Sequence, residues 1–187
     1  MHKPHDTQEF YRSWVFLFCD DMTNPTLKKK LENVAGIICE VLVPIRHEYY
    51  IGGGEAVAVC TLSSMQLLQT IARTTDMMNK ILIVGRLLSE NKGIDTMIKF
   101  TLNHPKLRYI IVCGNDVKGH QSGQALLSLH RNGATRDGRI IAAAGPRPFL
   151  TCLHADVELF RKQVMICDLV KCEDLETVRD KLVSVTS

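Results

Sequence analysis

From residue 50 onward, short apolar runs rich in β-branched residues alternate with helix-length amphipathic segments, and this alternation constrains the fold more than any other feature. The runs are Ile81–Val84, Tyr109–Cys113, Arg139–Ala143 and Val164–Leu169. Helical periodicity fills the stretches near 64–75, 94–104, 120–132, 154–162 and 173–184. Strands this short and this apolar must be buried on both faces, and intervening helices are what cover them. The expected class is therefore α/β, a Rossmann-like, mostly parallel sheet flanked by helices. Ahead of this pattern, Tyr49–Ile51 and Ala56–Cys60 flank Gly52-Gly53-Gly54 and are expected to form an extended pair joined by a glycine turn.

The N-terminal part has a different texture. Phe10, Trp14, Leu17 and Phe18 recur at helical spacing, Asn24-Pro25 marks a helix start, and Leu27, Leu31, Val34, Ile38 and Val41 form a second stripe before Pro44. The expectation is a helical extension over 1–48, with a dimer or partner face as its sharper use, followed by one globular unit over 49–187.

Composition narrows the function classes. Net charge is +3, from 23 basic and 20 acidic residues, too small an excess to suggest a nucleic-acid carrier. No apolar run approaches the roughly 20 residues of a membrane span, and the first residues do not resemble a signal peptide. Seven cysteines without a C-x-x-C pair suggest reduced thiols and a cytoplasmic location rather than a disulfide scaffold. Cys152-x-His154 and the Cys167/Cys172 pair are the only close arrangements with ligand character, and buried small hydrophobes are the plainer reading.

In an open parallel sheet, ligands bind beyond the carboxyl ends of the strands. Three glycine-bearing loops are expected there: Val84–Gly93, Cys113–Gln124 and Ala144–Phe149. In the second, Gly119, Ser122 and Gly123 leave little side-chain bulk around His120, so that something large and flat could lie against the imidazole. A His at a helix start is disfavoured as imidazolium, which would leave a ring nitrogen free for a metal. Local capping by His120 in a tightly packed turn explains the same residues. The loop lacks G-x-G-x-x-G, so no nucleotide fingerprint is met.

From about Tyr50 to Val178 the chain resembles the corrinoid-carrying A-type subunit of tetrahydromethanopterin S-methyltransferase. The resemblance rests on Glu90-Asn91-x-Gly93-Ile94 and Cys113-Gly114-x-Asp116-Val117-x-Gly119-His120-x-Ser122-Gly123-Gln124. It continues through Asn132-Gly133, Gly138–Ile141, Pro148-Phe149, Phe160-x-x-Gln163-Val164 and Glu173-Asp174. It implies a cobalamin or related cobamide as cofactor, with His120 as lower axial ligand to cobalt. It also implies a methyl-carrier role, in which a methyl group is accepted on cobalt and passed to an acceptor with partner methyltransferase subunits. Gly114, Asn115, Asp116, Gly119, Ser122, Gly123, Gln124, Ser89, Asn91 and Gly145 become the candidate cofactor-binding residues, with Arg147 as a further polar candidate.

Several positions depart from the family's pattern. Arg86 stands where a proline is usual, Ala142-Ala143-Ala144 alters the segment before Gly145, and the chain stops at Ser187 without the family's membrane helix. A free-standing relative or a truncated form is expected. In the widespread D-x-H-x-x-G cobalamin modules an Asp two residues before the His holds its second nitrogen. Here position 118 is Lys, which leaves Asp116 as the candidate for that task. The alternatives are a Rossmann-like binding or regulatory module that has lost corrinoid or holds a nucleotide, and an interaction protein working through its N-terminal helices. His104, His130 and His154 are expected to be ordinary structural residues.

Overall fold

A computed structural model describes residues 48–186, which fall within one compact unit spanning His47–Ser187. The proposed N-terminal helices, and any dimer through them, lie outside the described residues. Five strands form one sheet in the order β1-β3-β2-β4-β5, with β1 Tyr49–Ile51, β2 Val57–Cys60, β3 Ile83–Gly85, β4 Tyr109–Gly114 and β5 Met165–Val170. β2 pairs parallel with both β3 and β4, and β4 pairs parallel with β5; only β1 runs antiparallel, along β3. The expected α/β class is what the chain adopts.

Period-two alternation explains why the sheet must be covered twice. Val57 and Val59 of β2, with Ile111 and Cys113 of β4, pack on one face against Leu68 and Ile71 of α1 (Met65–Arg73), Met77 of α2 (Thr75–Met78) and Val178 and Leu182 of α6 (Leu175–Thr186). Ala58, Cys60, Ile110 and Val112 point the other way. There they meet Ile94 and Ile98 of α3 (Lys92–Asn103), Leu126 and Leu129 of α4 (Ser122–Asn132), and Val157 and Phe160 of α5 (His154–Gln163). Every residue of β2 is thus buried, and an ordinary amphipathic strand would not serve there. Phe160 is wholly buried, and truncating such a side chain to Ala costs about 3–5 kcal/mol.

Two expectations about strands need correction. Tyr49–Ile51 and Ala56–Cys60 are not partners, because β3 lies between β1 and β2. The glycine run is a crossing rather than a hairpin turn: Gly52 and Gly54 press on the carbonyls of Ile81 and Lys80, where a Cβ would have no room. Arg139–Ala143 is not a sheet strand either. It makes only isolated bridges, Ala134 to Ile140 and Arg139 to Phe149, and β4 takes β5 directly as its neighbour. Ile140 is the one fully buried residue in that run, with Arg139 and Ile141 less enclosed, so it could not fill a strand covered on both faces.

The strand order places the topological switch between β2 and β4, because the chain moves from β2 to β3 on one side and then to β4 on the other. Thr61–Ser64, which follows β2, and the loop after β4 meet at this point. Among the described residues no helix is long and apolar enough to cross a membrane.

Candidate functional site

Three loops converge on one buried carboxylate. Glu90, in the loop after β3, has no exposed surface. Its Oε2 accepts a hydrogen bond from His120 Nδ1 at 2.7 Å, and its Oε1 accepts one from the backbone N–H of Arg147 at 2.9 Å. Gly145, in the same third loop, sits so close to the carbonyl of His120 that a Cβ could not be accommodated. Burial opposes ionisation of Glu90, but hydrogen bonds from His120, from its own backbone N–H and from the Arg147 N–H outweigh it, so its pKa lies below the ordinary carboxylate value. An ionised carboxylate can only accept, so Nδ1 of His120 carries the hydrogen. Nε2 is left without a hydrogen-bond partner among the described residues, on a side chain that is 29% exposed.

The loop holding His120 is shaped by Asp116. Its Oδ1 accepts from the N–H groups of Val117 and Gly123, each at 2.8 Å, and its Oδ2 from Gln124 N–H at 2.9 Å. Helix α4 starts at Ser122, so His120 stands just outside the helix rather than in its first turn. The contact with His120 expected of Asp116 is made by Glu90 instead. Asp116 is occupied with the free donors of the helix start.

The other proposed ligand-binding residues are mostly engaged within the protein. Ser122 is buried and donates to Leu87 O at 2.7 Å. Gln124 bridges to the third loop, donating to Ala142 O and accepting from Ala144 N–H. Ser89 Oγ accepts from Gly93 N–H and Asn91 Oδ1 from Lys92 N–H, so both cap α3. Gly119 needs its φ of +85° to turn the chain, and Gly123 lies against Leu62, whose Cδ1 would be 2.9 Å from an added Cβ. These glycines make room for the protein's own chain.

Gly114 and Asn115 belong to a second network, at the switch point. Asn115 N–H donates to Ser64 Oγ at 2.9 Å, and Ser64 Oγ donates to Glu173 Oε1 at 2.5 Å. Asn115 Nδ2 reaches the other oxygen of Glu173 at 2.6 Å. Gly114, at φ +79°, has Thr61 O within 2.5 Å of where its Cβ would be. Glu90, Ser64 and Glu173 received no role from the sequence. Glu90 and Glu173 do lie in the motifs that carried the resemblance, the one signal that pointed to them. Arg86 also reaches this region, donating to Ser63 O at 3.3 Å.

Backbone strain gathers at the same end of the sheet. Leu62, Gln121 and Ala142 hold left-handed φ values of +50°, +49° and +62° in the loop after β2, in the His120 loop and just ahead of the third loop. Each such residue costs on the order of 1–3 kcal/mol and persists only where its surroundings enforce it, as happens at functional sites. Among the described residues the other three histidines are structural: His104, His130 and His154 bond the carbonyls of Phe100, Val164 and Ala134. A separate cavity of about 220 Å³ lies beside Cys152 and His154, bordered by Arg136 and Val157.

The donor set discriminates between kinds of metal site. Among the described residues no group of three or more His, Cys, Asp or Glu side chains could hold a bare ion. A bare zinc or similar ion takes at least three protein ligands. A histidine with Nδ1 tied to a carboxylate and Nε2 open could instead serve as a single protein ligand to a metal whose other ligands come with a cofactor.

The family model for the A subunit of tetrahydromethanopterin S-methyltransferase, MtrA, matches residues 40–187. The chain is 37% identical to the tetrahydromethanopterin S-methyltransferase A subunit of Methanocaldococcus jannaschii over 131 residues, covering 68% of this chain and 52% of that protein. It is 35% identical to the second A-subunit form of Methanothermobacter marburgensis over 138 residues, covering 72% of this chain and 71% of that protein. With the second A-subunit form of Methanothermobacter thermautotrophicus it shares 34% identity over 138 residues, covering 72% of each protein. It thus spans about half the length of the Methanocaldococcus jannaschii relative and a larger share of the second forms. The chain belongs to the MtrA family, the A subunits of tetrahydromethanopterin S-methyltransferase.

Proposed function

We propose that this chain is a corrinoid-carrying subunit of a methyltransferase system, in which His120 Nε2 is the lower axial ligand to cobalt. The observation that carries the reading is the His120–Glu90 pair: one ring nitrogen held by a buried carboxylate, the other open, on a loop at the carboxyl end of the sheet. When bound, the corrinoid supplies the cobalt on which a methyl group is carried. The chain's own work is to hold and orient. Glu90 fixes the hydrogen on Nδ1 and so presents the lone pair of Nε2, and its charge makes the imidazole a stronger donor. Gly145 lies against the carbonyl of His120, and the Arg147 N–H holds the other oxygen of Glu90.

Methyl donor and acceptor chemistry belongs on this reading to partner subunits, and the names of the relatives make tetrahydromethanopterin the pterin to test. On this reading the methyl-carrying domain works in the cytoplasm. A second reading, a module of the same fold that holds no corrinoid, is favoured by one observation: Ser89, Asn91, Asn115, Ser122 and Gln124 all use polar atoms inside the protein. Mixing with hydroxocobalamin followed by desalting separates the two. A protein that keeps a stoichiometric corrinoid chromophore supports the carrier, and a colourless one supports the module.

A further inference from the structure

We propose that Asp116 is the residue that positions His120, an inference that rests on reading His120 as the cobalt ligand. An N-terminal helix cap ordinarily comes from the residue next to the helix, and its side chain takes the N–H groups two or three positions on. At α4 that residue is Gln121, which provides no side-chain bond. The cap comes from Asp116 instead, whose two oxygens take the N–H groups of Gly123 and Gln124. Asp116 Oδ1 also holds Val117 N–H. The chain between Val117 and Gly123 is therefore anchored at both ends on one carboxylate, and His120 lies within it.

The residues on either side of His120 are both left-handed, Gly119 at φ +85° and Gln121 at φ +49°. Little freedom remains to absorb movement, because Gly123 is closed in by Leu62 Cδ1 and Asp116 Cγ, 2.9 and 3.2 Å from an added Cβ. The two carboxylates divide the task. Glu90 holds the ring of His120, and Asp116 holds the backbone from which the ring projects.

The test uses the full chain with Asp116→Ala, Asp116→Asn and, as a structural control, Asp95→Ala. Asp95 is a buried carboxylate that anchors Thr151 and Cys152 and has no bond to the His120 loop. Two quantities are read: the ring ¹⁵N shifts of His120 in cofactor-free protein, and the dissociation constant for hydroxocobalamin. The wild type and Asp95→Ala should show one Nδ1–H tautomer. Asp116→Ala should show averaged ring shifts and a dissociation constant raised about tenfold or more, with Asp116→Asn in between because it keeps one acceptor oxygen. Asp116→Ala with wild-type ring shifts and affinity would overturn the inference and leave Asp116 a helix cap only. If Asp116→Ala does not fold, Asp116→Asn decides: partial averaging supports the inference, unchanged shifts overturn it. If His120→Ala binds the corrinoid as wild type does, the ligand reading fails, and the ring shifts in cofactor-free protein still decide whether Asp116 orients His120.

Discussion

Glu90 and His120 are thirty residues apart in sequence and joined by a 2.7 Å hydrogen bond, with the carboxylate fully buried and the imidazole partly open. The same carboxylate holds the backbone of Arg147, so one side chain ties together three loops that the sheet brings to its carboxyl end. Glu90→Gln keeps the shape but replaces the charge and one acceptor. It should raise the dissociation constant for hydroxocobalamin by about 10- to 100-fold, the usual cost of losing a partner behind a metal ligand. Titration by absorbance checks this, and a fold that is unchanged by circular dichroism separates it from unfolding.

Stability should depend on acid through the same residue. The folded-state pKa of Glu90 is depressed below its ordinary 4.5, so its contribution is fully present above that value and is lost as the pH falls through the lower, folded value. Asp95 acts in the same direction from 3.8: burial opposes its ionisation, and the donors of Thr151 and Cys152 outweigh it. The melting temperature should therefore fall on acidification below about pH 4.5, and less steeply in Glu90→Gln. Melting curves between about pH 3 and pH 6 check the sign.

Glycine positions separate space from conformation. Gly145→Ala forces a Cβ against the carbonyl of His120, and Gly114→Ala combines φ +79° with a backbone oxygen 2.5 Å away. Both should destabilise by about 1–3 kcal/mol or more. Ala142→Gly goes the other way, relieving a left-handed φ of +62°. It should be neutral or stabilising by up to about 1 kcal/mol, since the added freedom of the unfolded chain offsets part of the gain. Urea unfolding of the three variants ranks them.

Cys60 and Cys113 should label only when the protein unfolds. Both are buried; burial pushes the Cys60 thiol up to about 12 and raises Cys113 as well, with Cys60 and Cys172 nearby adding to the effect. A thiol reagent at about pH 8, near the ordinary thiol pKa, followed by mass mapping before and after denaturation, reads this directly. Native-state labelling of either would contradict the packing of β2 and β4.

Much of this architecture was legible in the residues. Uninterrupted apolar runs at Val57–Cys60 and Tyr109–Cys113, with helical periodicity between, are enough to demand a sheet covered on both faces. Arg139–Ala143 misled because composition alone does not say how many neighbours a short apolar run will have. The glycine run misled because a turn and a close crossing both require the same residue. His120 stood out through its small neighbours. Its partner did not, since Glu90 reaches it from another strand's loop, and no local spacing records a contact across thirty residues. Asp116 looked like a partner for His120 by nearness in sequence, while the helix start claimed its oxygens.

The most direct test of the central claim is electron paramagnetic resonance of the cobalt(II) form after reconstitution with hydroxocobalamin, in wild type and His120→Ala. The account predicts nitrogen superhyperfine splitting that changes with ¹⁵N-histidine labelling of the protein and is lost in His120→Ala. Splitting that ignores the label and survives the substitution, or a protein that retains no corrinoid at all, would contradict it.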